Sequence, residues 1–255
     1  MKLCVLGCSA GIGGRYLRTT SFLVDGDVLI DAGTGVEDLS LAKLSLIDYV
    51  LVSHSHLDHV SSLPFLVDTV GGMRTKAITV YTTRATIEIL GNHLFTWAIW
   101  PDFSEIPTLD APYLRYQEIE VGKTMSLAGR RPRPLPAEHT VPAVGFDLAS
   151  GHASMVFTGD TGSNDALWKL VNRIRNLRYV IIETAFSNKE RQFAEDSKHL
   201  WPTTLTTELA KFEGHAEIYI THLKPGEIEL TMQEIEECAG TLRPRMLQNG
   251  QLFEL

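Results

Sequence analysis

Three of the nine histidines fall within six residues, in the segment Val52-Ser53-His54-Ser55-His56-Leu57-Asp58-His59. His54 and His56 alternate as on an extended chain, so both rings can point to one side. Asp58 and His59 follow at once, where an apolar strand leads into a helix. Imidazole and carboxylate are the side chains that ligate zinc and other divalent transition metals. A solvated turn accounts for one histidine, but not for four donors issuing from one turn. Metal chemistry is the expectation.

The elements around this turn have the pattern of a mixed α/β fold. Strands are expected at Lys2–Gly7, at Thr19–Val24 and Val28–Asp31 around the turn Asp25-Gly26-Asp27, and at Tyr49–Ser53 and Ile78–Tyr81. Further strands are expected at Thr124–Leu127, Val144–Leu148, Met155–Thr158, Val180–Ile182 and Ile218–Thr221, with an edge strand at the C-terminus. Helices are expected at Val36–Leu46, Val60–Thr69, Ala85–Leu94, Asp165–Ile174 (capped by Ser163 or Asn164), Thr204–Phe212 and Gln233–Cys238. Trp97–Tyr116, with three prolines, reads as irregular, so one domain over 1–255 with an insertion near 95–118 is expected. Many strands first, then helices alternating with strands, fit a sheet sandwich flanked by helices.

Composition narrows the function. With 255 residues, 44% hydrophobic and 21% charged, the chain has an ordinary globular profile. A net charge of −8 disfavours a protein that coats DNA or RNA. The one dense basic run, Arg130-Arg131-Pro132-Arg133, is a solvated loop or a phosphate grip. Cys4, Cys8 and Cys238 fit neither a zinc ribbon nor a disulfide framework and read as small buried side chains. No run approaches the ~18 apolar residues of a membrane span, so a cytoplasmic location without membrane contact is expected. The glycine-rich stretch Gly7–Gly14 misses both the dinucleotide and the P-loop spacing, and reads as a turn beside another site. Arg15 and Arg18 after it are surface charges or phosphate contacts.

The His-x-His-x-Asp-His motif resembles the signature of the metallo-β-lactamase superfamily. The likeness continues in order through Leu29–Gly33, Glu138–Pro142, Phe157–Thr161 and Thr221–Leu223. It implies a four-layer αββα sandwich with two divalent metal ions, most suitably zinc, though manganese and iron accept the same ligands. His54, His56 and His139 would hold one ion, Asp58, His59 and His222 the other, and Asp160 would bridge them. Asp31 is expected to orient a ligand rather than bind metal.

Within the superfamily, Glu183 and His199 resemble the Glu and later His of tRNA 3′-processing endonucleases. His56–Val60 with Ser62-Leu63-Pro64, His93–Phe103 and Thr221–Pro225 resemble class II cyclic-nucleotide phosphodiesterases more closely. That likeness implies hydrolysis of 3′,5′-cyclic nucleotides (cAMP or cGMP) to 5′-monophosphates by a hydroxide bridging the metals. His199 is the expected proton donor, oriented by Glu183, with Asp58 at the reacting centre. Trp97, Trp100 and Phe103 are expected either to form a wall for the nucleobase or to pack their loop, and Thr161 to touch substrate. The same segment is also a candidate homodimer contact. Stable nucleic-acid binding is not expected. A tRNA-type endonuclease, an aryl sulfate ester hydrolase and an iron-dependent redox enzyme of this fold remain as alternatives.

Overall fold

The structure, a computed structural model, describes residues 1–14 and 16–255. Arg15, a candidate phosphate contact, lies outside the described residues. The first six strands are β1 (Lys2–Gly7), β2 (Ser21–Val24), β3 (Val28–Ile30), β4 (Tyr49–Leu51), β5 (Ile78–Thr82) and β6 (Leu114–Glu118). The next six are β7 (Arg133–Pro136), β8 (Val144–Ala149), β9 (Ser154–Phe157), β10 (Leu177–Glu183), β11 (Glu217–Thr221) and β12 (Arg245–Met246). The last, β13 (Leu252–Glu254), returns to pair with β1. Two sheets result, in the orders β13-β1-β2-β3-β4-β5-β6 and β12-β11-β10-β9-β8-β7. The helices are α1 (Leu41–Leu44), α2 (Leu57–Val60), α3 (Leu63–Val70), α4 (Arg84–Ile89), α5 (Asp165–Val171), α6 (Arg191–Ser197), α7 (Pro202–Leu209) and α8 (Ile228–Cys238).

Side-chain alternation along the strands divides the apolar residues into three cores. On β4, Leu51 joins the core between the sheets while Val50 faces the α3 side. On β10, Ile181 points between the sheets, and Val180 and Ile182 point toward α5 and α7. Strands covered on both faces read as continuous apolar runs, which explains Val180-Ile181-Ile182. The layers are therefore helix, sheet, sheet, helix, the expected αββα sandwich.

Several boundaries differ from expectation for identifiable reasons. The segment 95–118 ends in a true strand, because Leu114–Glu118 pairs in parallel with β5 at the sheet edge. Its polar residues mark an edge exposed on one side. Arg133–Pro136 is also an edge strand, and prolines 134 and 136 are tolerated there because an edge needs fewer ladder donors. Thr124–Leu127 is not a strand; Leu127 and Arg130 close a tight turn instead. The helix expected over Val36–Leu46 splits into a 3₁₀ turn and α1, where the Ser40 side chain caps Lys43 N–H. The one expected over Val60–Thr69 splits into α2 and α3, with Pro64 at the start of α3. Polar α6 has no apolar stripe to announce it. Cys4 and Cys8 are half-buried, whereas Cys238 is exposed near the end of α8 rather than buried.

The basic run is absorbed by the fold. Arg130 donates to Asp25 at 2.9 Å and to Asp27 at 2.6 Å and 3.0 Å, and Arg133 donates to Asp147 at 2.8 Å. Arg18 is likewise held by Asp38 at 2.8 Å. No helix among the described residues is long and apolar enough to cross a membrane.

Candidate metal centre

Strands β3, β4 and β5 run parallel to one another, as do β9, β10 and β11. Loops leaving their C-terminal ends therefore meet along one rim, where open α/β sheets collect ligands. His54 and His56 leave β4, and Asp58 and His59 lie in the first turn of α2. His139 follows β7, Asp160 follows β9, Glu183 ends β10, and His222 follows β11. His199 sits just beyond α6.

Backbone conformation fixes these positions. Gly159 has φ +63°, and a Cβ there would meet Val144 O at 2.5 Å, so only glycine lets Asp160 turn inward. Asp31 (φ 55°) and His222 (φ 63°) adopt the left-handed region without being glycine, a strain that packing must hold. The His222 N–H donates to Cys8 O at 2.8 Å, and Ala10 N–H donates to Leu223 O at 3.1 Å. The glycine-rich segment is thus a clamp on the His222 turn, as its reading as a turn beside another site required.

The expected ligands converge. His54, His56 and His139 form one group whose ligand atoms lie within 4.8 Å of one another, and Asp58, His59, Asp160 and His222 form another. Asp160 Oδ2 is 3.2 Å from His59 Nε2, 3.3 Å from His222 Nε2 and 3.7 Å from His54 Nε2. Asp58 Oδ2 is 3.6 Å from His222 Nε2, and His139 Nε2 is 3.1 Å from His56 Nδ1. Two nitrogens bound tetrahedrally to zinc at about 2.0–2.1 Å stand about 3.3 Å apart. The observed separations fit that edge.

Hydrogen bonds aim the rings. His59 Nδ1–H donates to Asp31 Oδ2 at 2.7 Å. Ser53 Oγ–H donates to the same Asp31 oxygen at 2.8 Å, and its oxygen takes a hydrogen bond from His54 Nδ1 at 2.9 Å. His139 Nδ1–H donates to the Lys198 carbonyl at 3.2 Å. The Nε2 atoms of all three therefore face the centre. His54 Nε2, His59 Nε2 and Asp160 Oδ1 are buried with no hydrogen-bond partner. Buried polar atoms are rarely left so, and a cation bound by them accounts for the vacant valence. Burial drives the His54 imidazole well below its ordinary pKa and takes those of His139 and His222 to about 4, so these three rings are neutral at pH 7. Against its own burial, Asp160 is held well below the usual carboxylate range by His222 and His59.

Asp31 lies outside both groups and accepts from Ser53 N–H, Ser53 Oγ–H and His59 Nδ1. Asp31→Ala orphans three buried donors and is expected to cost about 3 kcal/mol or more. In a protein of this size that lowers the melting temperature by roughly 6–12 °C. Thermal denaturation of the metal-free protein checks this; a change below about 2 °C would show that Asp31 has no orienting load.

Glu183 is fully buried, and its Oε1 accepts from His199 Nδ1 at 2.9 Å, Thr161 N–H at 3.0 Å and Leu200 N–H at 3.3 Å. Burial lowers the His199 pKa, but Glu183 and Asp160 outweigh it and raise it to about 9. The His199 ring stacks on His222 with centroids 5.2 Å apart and meets His139 edge-on at 4.9 Å. It also joins His139 and Asp160 in a third potential ligand group.

The expected substrate contacts fare differently. Thr161 is buried, and its hydroxyl accepts from Glu138 N–H and donates to Gly162 O, so it is a structural strut rather than a substrate contact. Phe103 is 4% exposed and packs with Phe95 and Tyr113, so it cannot form a wall for a base. Trp100 is half-buried and set edge-on against Phe65 at 5.1 Å. Trp97 is 60% exposed. Proline and aromatic content predicts packing and stacking alike, which is why the segment was ambiguous. The aromatic that does stand beside the centre is Phe186, its ring 5.8 Å from that of His199. Its position three residues past Glu183 was the available signal.

Comparison with known proteins agrees with this architecture. Residues 27–228 match the family described as the beta-lactamase superfamily domain. A "Probable 3′,5′-cyclic-nucleotide phosphodiesterase" of Yersinia pestis is 28% identical over 279 aligned positions, covering 88% of this chain and 78% of that protein. Unliganded yeast PDE1 superposes with a TM-score of 0.82 at 18% identity, over 100% of this chain and 99% of its own. The short form of human tRNase Z superposes with a TM-score of 0.70 at 15% identity, over 100% and 99%. Likeness at these two identities speaks to the fold.

Proposed function

As the chain belongs to the beta-lactamase superfamily, we propose that it hydrolyses 3′,5′-cyclic nucleotides to 5′-monophosphates with two divalent metal ions. The observation that carries this is the convergence of seven ligand side chains around unpartnered buried nitrogens and one carboxylate oxygen. The likeness to the Yersinia protein over most of both chains supports the substrate class. His54, His56 and His139 would hold one ion, Asp58, His59 and His222 the other, with Asp160 between. Zinc suits these donors, and manganese or iron is compatible with them. When bound, such a pair supplies Lewis-acid charge to phosphate oxygens and acidifies water.

The chain's own residues do the rest. Asp160 and Asp58 keep negative charge at the centre, so the ligand shell balances the cations. Glu183 fixes the His199 ring and keeps its proton available at neutral pH. As the bond from phosphorus to the ribose 3′ oxygen breaks, His199 gives that oxygen its proton. An RNA endonuclease would instead need a strip of free cations along the nucleic acid. Here Arg130 and Arg133 are tied to carboxylates, and the net charge is −8.

The test is metal analysis joined to a panel of cAMP, cGMP, RNA and aryl esters, before and after chelation. The expected result is about two ions per chain and turnover of a cyclic nucleotide that chelation abolishes and metal restores. Faster cleavage of RNA, or activity indifferent to chelation, would overturn the reading.

A further inference from the structure

The two ligand groups are unlike in charge. His54, His56 and His139 are three imidazoles, which bind metal as neutral ligands. Asp58, His59, Asp160 and His222 bring two carboxylates. Asp160 leans to its own group: its Oδ2 is 3.2 Å from His59 Nε2 and 3.3 Å from His222 Nε2, but 3.7 Å from His54 Nε2. Asp58 Oδ2 lies 3.6 Å from His222 Nε2 and 3.7 Å from His59 Nε2. A divalent cation entering this group meets two negative charges among its ligands. One entering among the three histidines meets at most a share of Asp160.

The residues behind the ligands widen the difference. His59 Nδ1 is hydrogen-bonded at 2.7 Å to Asp31, which is fully buried, and a carboxylate behind an imidazole makes it a stronger ligand. Behind His54 stands the Ser53 hydroxyl at 2.9 Å, and behind His139 the Lys198 carbonyl at 3.2 Å, both neutral. His222 has only the Thr20 hydroxyl, at 3.4 Å, so the gain on its side comes through His59. The His56 ring is half-buried and turns its Nδ1 inward, 3.1 Å from His139 Nε2. His139 is also drawn two ways, since it joins Asp160 and His199 in the third group.

We propose that the two sites load in order, Asp58, His59, Asp160 and His222 first, and that the ion held by His54, His56 and His139 is the exchangeable one on which turnover depends. The proposal rests on the two-metal reading given above and names its regulation. Once the first ion is seated, its charge repels the second, and Asp160 is already partly engaged. The supply of free metal then sets how much of the protein holds both ions and turns over.

The test titrates metal-depleted protein with zinc, followed by calorimetry, by nitrogen NMR of the histidine rings and by hydrolysis of cAMP and bis(p-nitrophenyl) phosphate. The expected result is two steps, the first at least about tenfold tighter, the scale on which partners behind a ligand change metal affinity. The first equivalent should move the ring signals of His59 and His222, and the second those of His54, His56 and His139, with turnover following the second. His56→Ala should leave the first step within about threefold and weaken the second at least about tenfold, whereas Asp58→Ala should weaken the first. The reverse order, equal affinities, or full turnover at one equivalent would overturn the proposal while leaving the phosphodiesterase reading in place. Ordered loading with the diester cleaved but no cyclic nucleotide hydrolysed would support the order and sink that reading instead. No zinc bound at all would overturn both.

Discussion

Asp160→Ala is expected to lower kcat/KM by about 10⁴-fold, or roughly 5–6 kcal/mol of transition-state stabilisation. Asp160 is 2% exposed, and one of its oxygens faces His54, His59 and His222 within 3.7 Å. Removing it takes away a donor common to both sides of the centre and leaves three ring nitrogens facing a gap. Metal content should fall below two ions per chain, measured by mass spectrometry on dialysed protein. Asp160→Asn keeps the shape and removes the charge, so its loss should fall short of the alanine variant's. Rates within tenfold of wild type in the alanine variant would sink the two-metal reading.

His199→Ala separates proton transfer from metal binding. The expected outcome is a fall in kcat of about 10²–10⁴-fold with both ions retained, the range for a positioned general acid. Glu183 would keep its bonds from Thr161 N–H and Leu200 N–H, so its burial stays partly compensated. The competing outcome is loss of metal. It would make His199 a ligand, which its grouping with His139 and Asp160 allows. Metal content together with steady-state kinetics on one preparation decides between the two.

The candidate ligands were legible because a short motif encodes local geometry directly. His54, His56, Asp58 and His59 issue from one strand end into one helix turn, and no distant residue is needed to bring them together. The distant ligands were legible through their setting: Asp160 after a buried strand and a glycine, His222 after another strand. The Glu183–His199 pair needed more, since its members are 16 positions apart with α6 between them. Its hydrogen bond could be stated beforehand only as a condition.

What was not legible depended on where the sheets end and which side of a loop is covered. Leu114–Glu118 and Arg133–Pro136 are strands because a neighbour offers them a ladder, against their polar or proline content. Arg130 could be read only as a solvated loop residue or a phosphate grip, until the hairpin turn brought Asp25 and Asp27 to it across 105 and 103 positions. Phe103 and Trp97 have similar aromatic character, yet one is 4% exposed and the other 60%.

The sequence by itself determined the cluster of histidines and carboxylates that could hold a metal ion, the alternation that splits the strands between two faces, and most of the side chains that meet at the rim. Each is a matter of residue type and short spacing, which backbone periodicity converts into direction. The tertiary structure alone decided which charges were already neutralised and which aromatics were buried. Those outcomes depend on packing between segments far apart in the chain, where small differences in burial choose among side chains of equal local propensity.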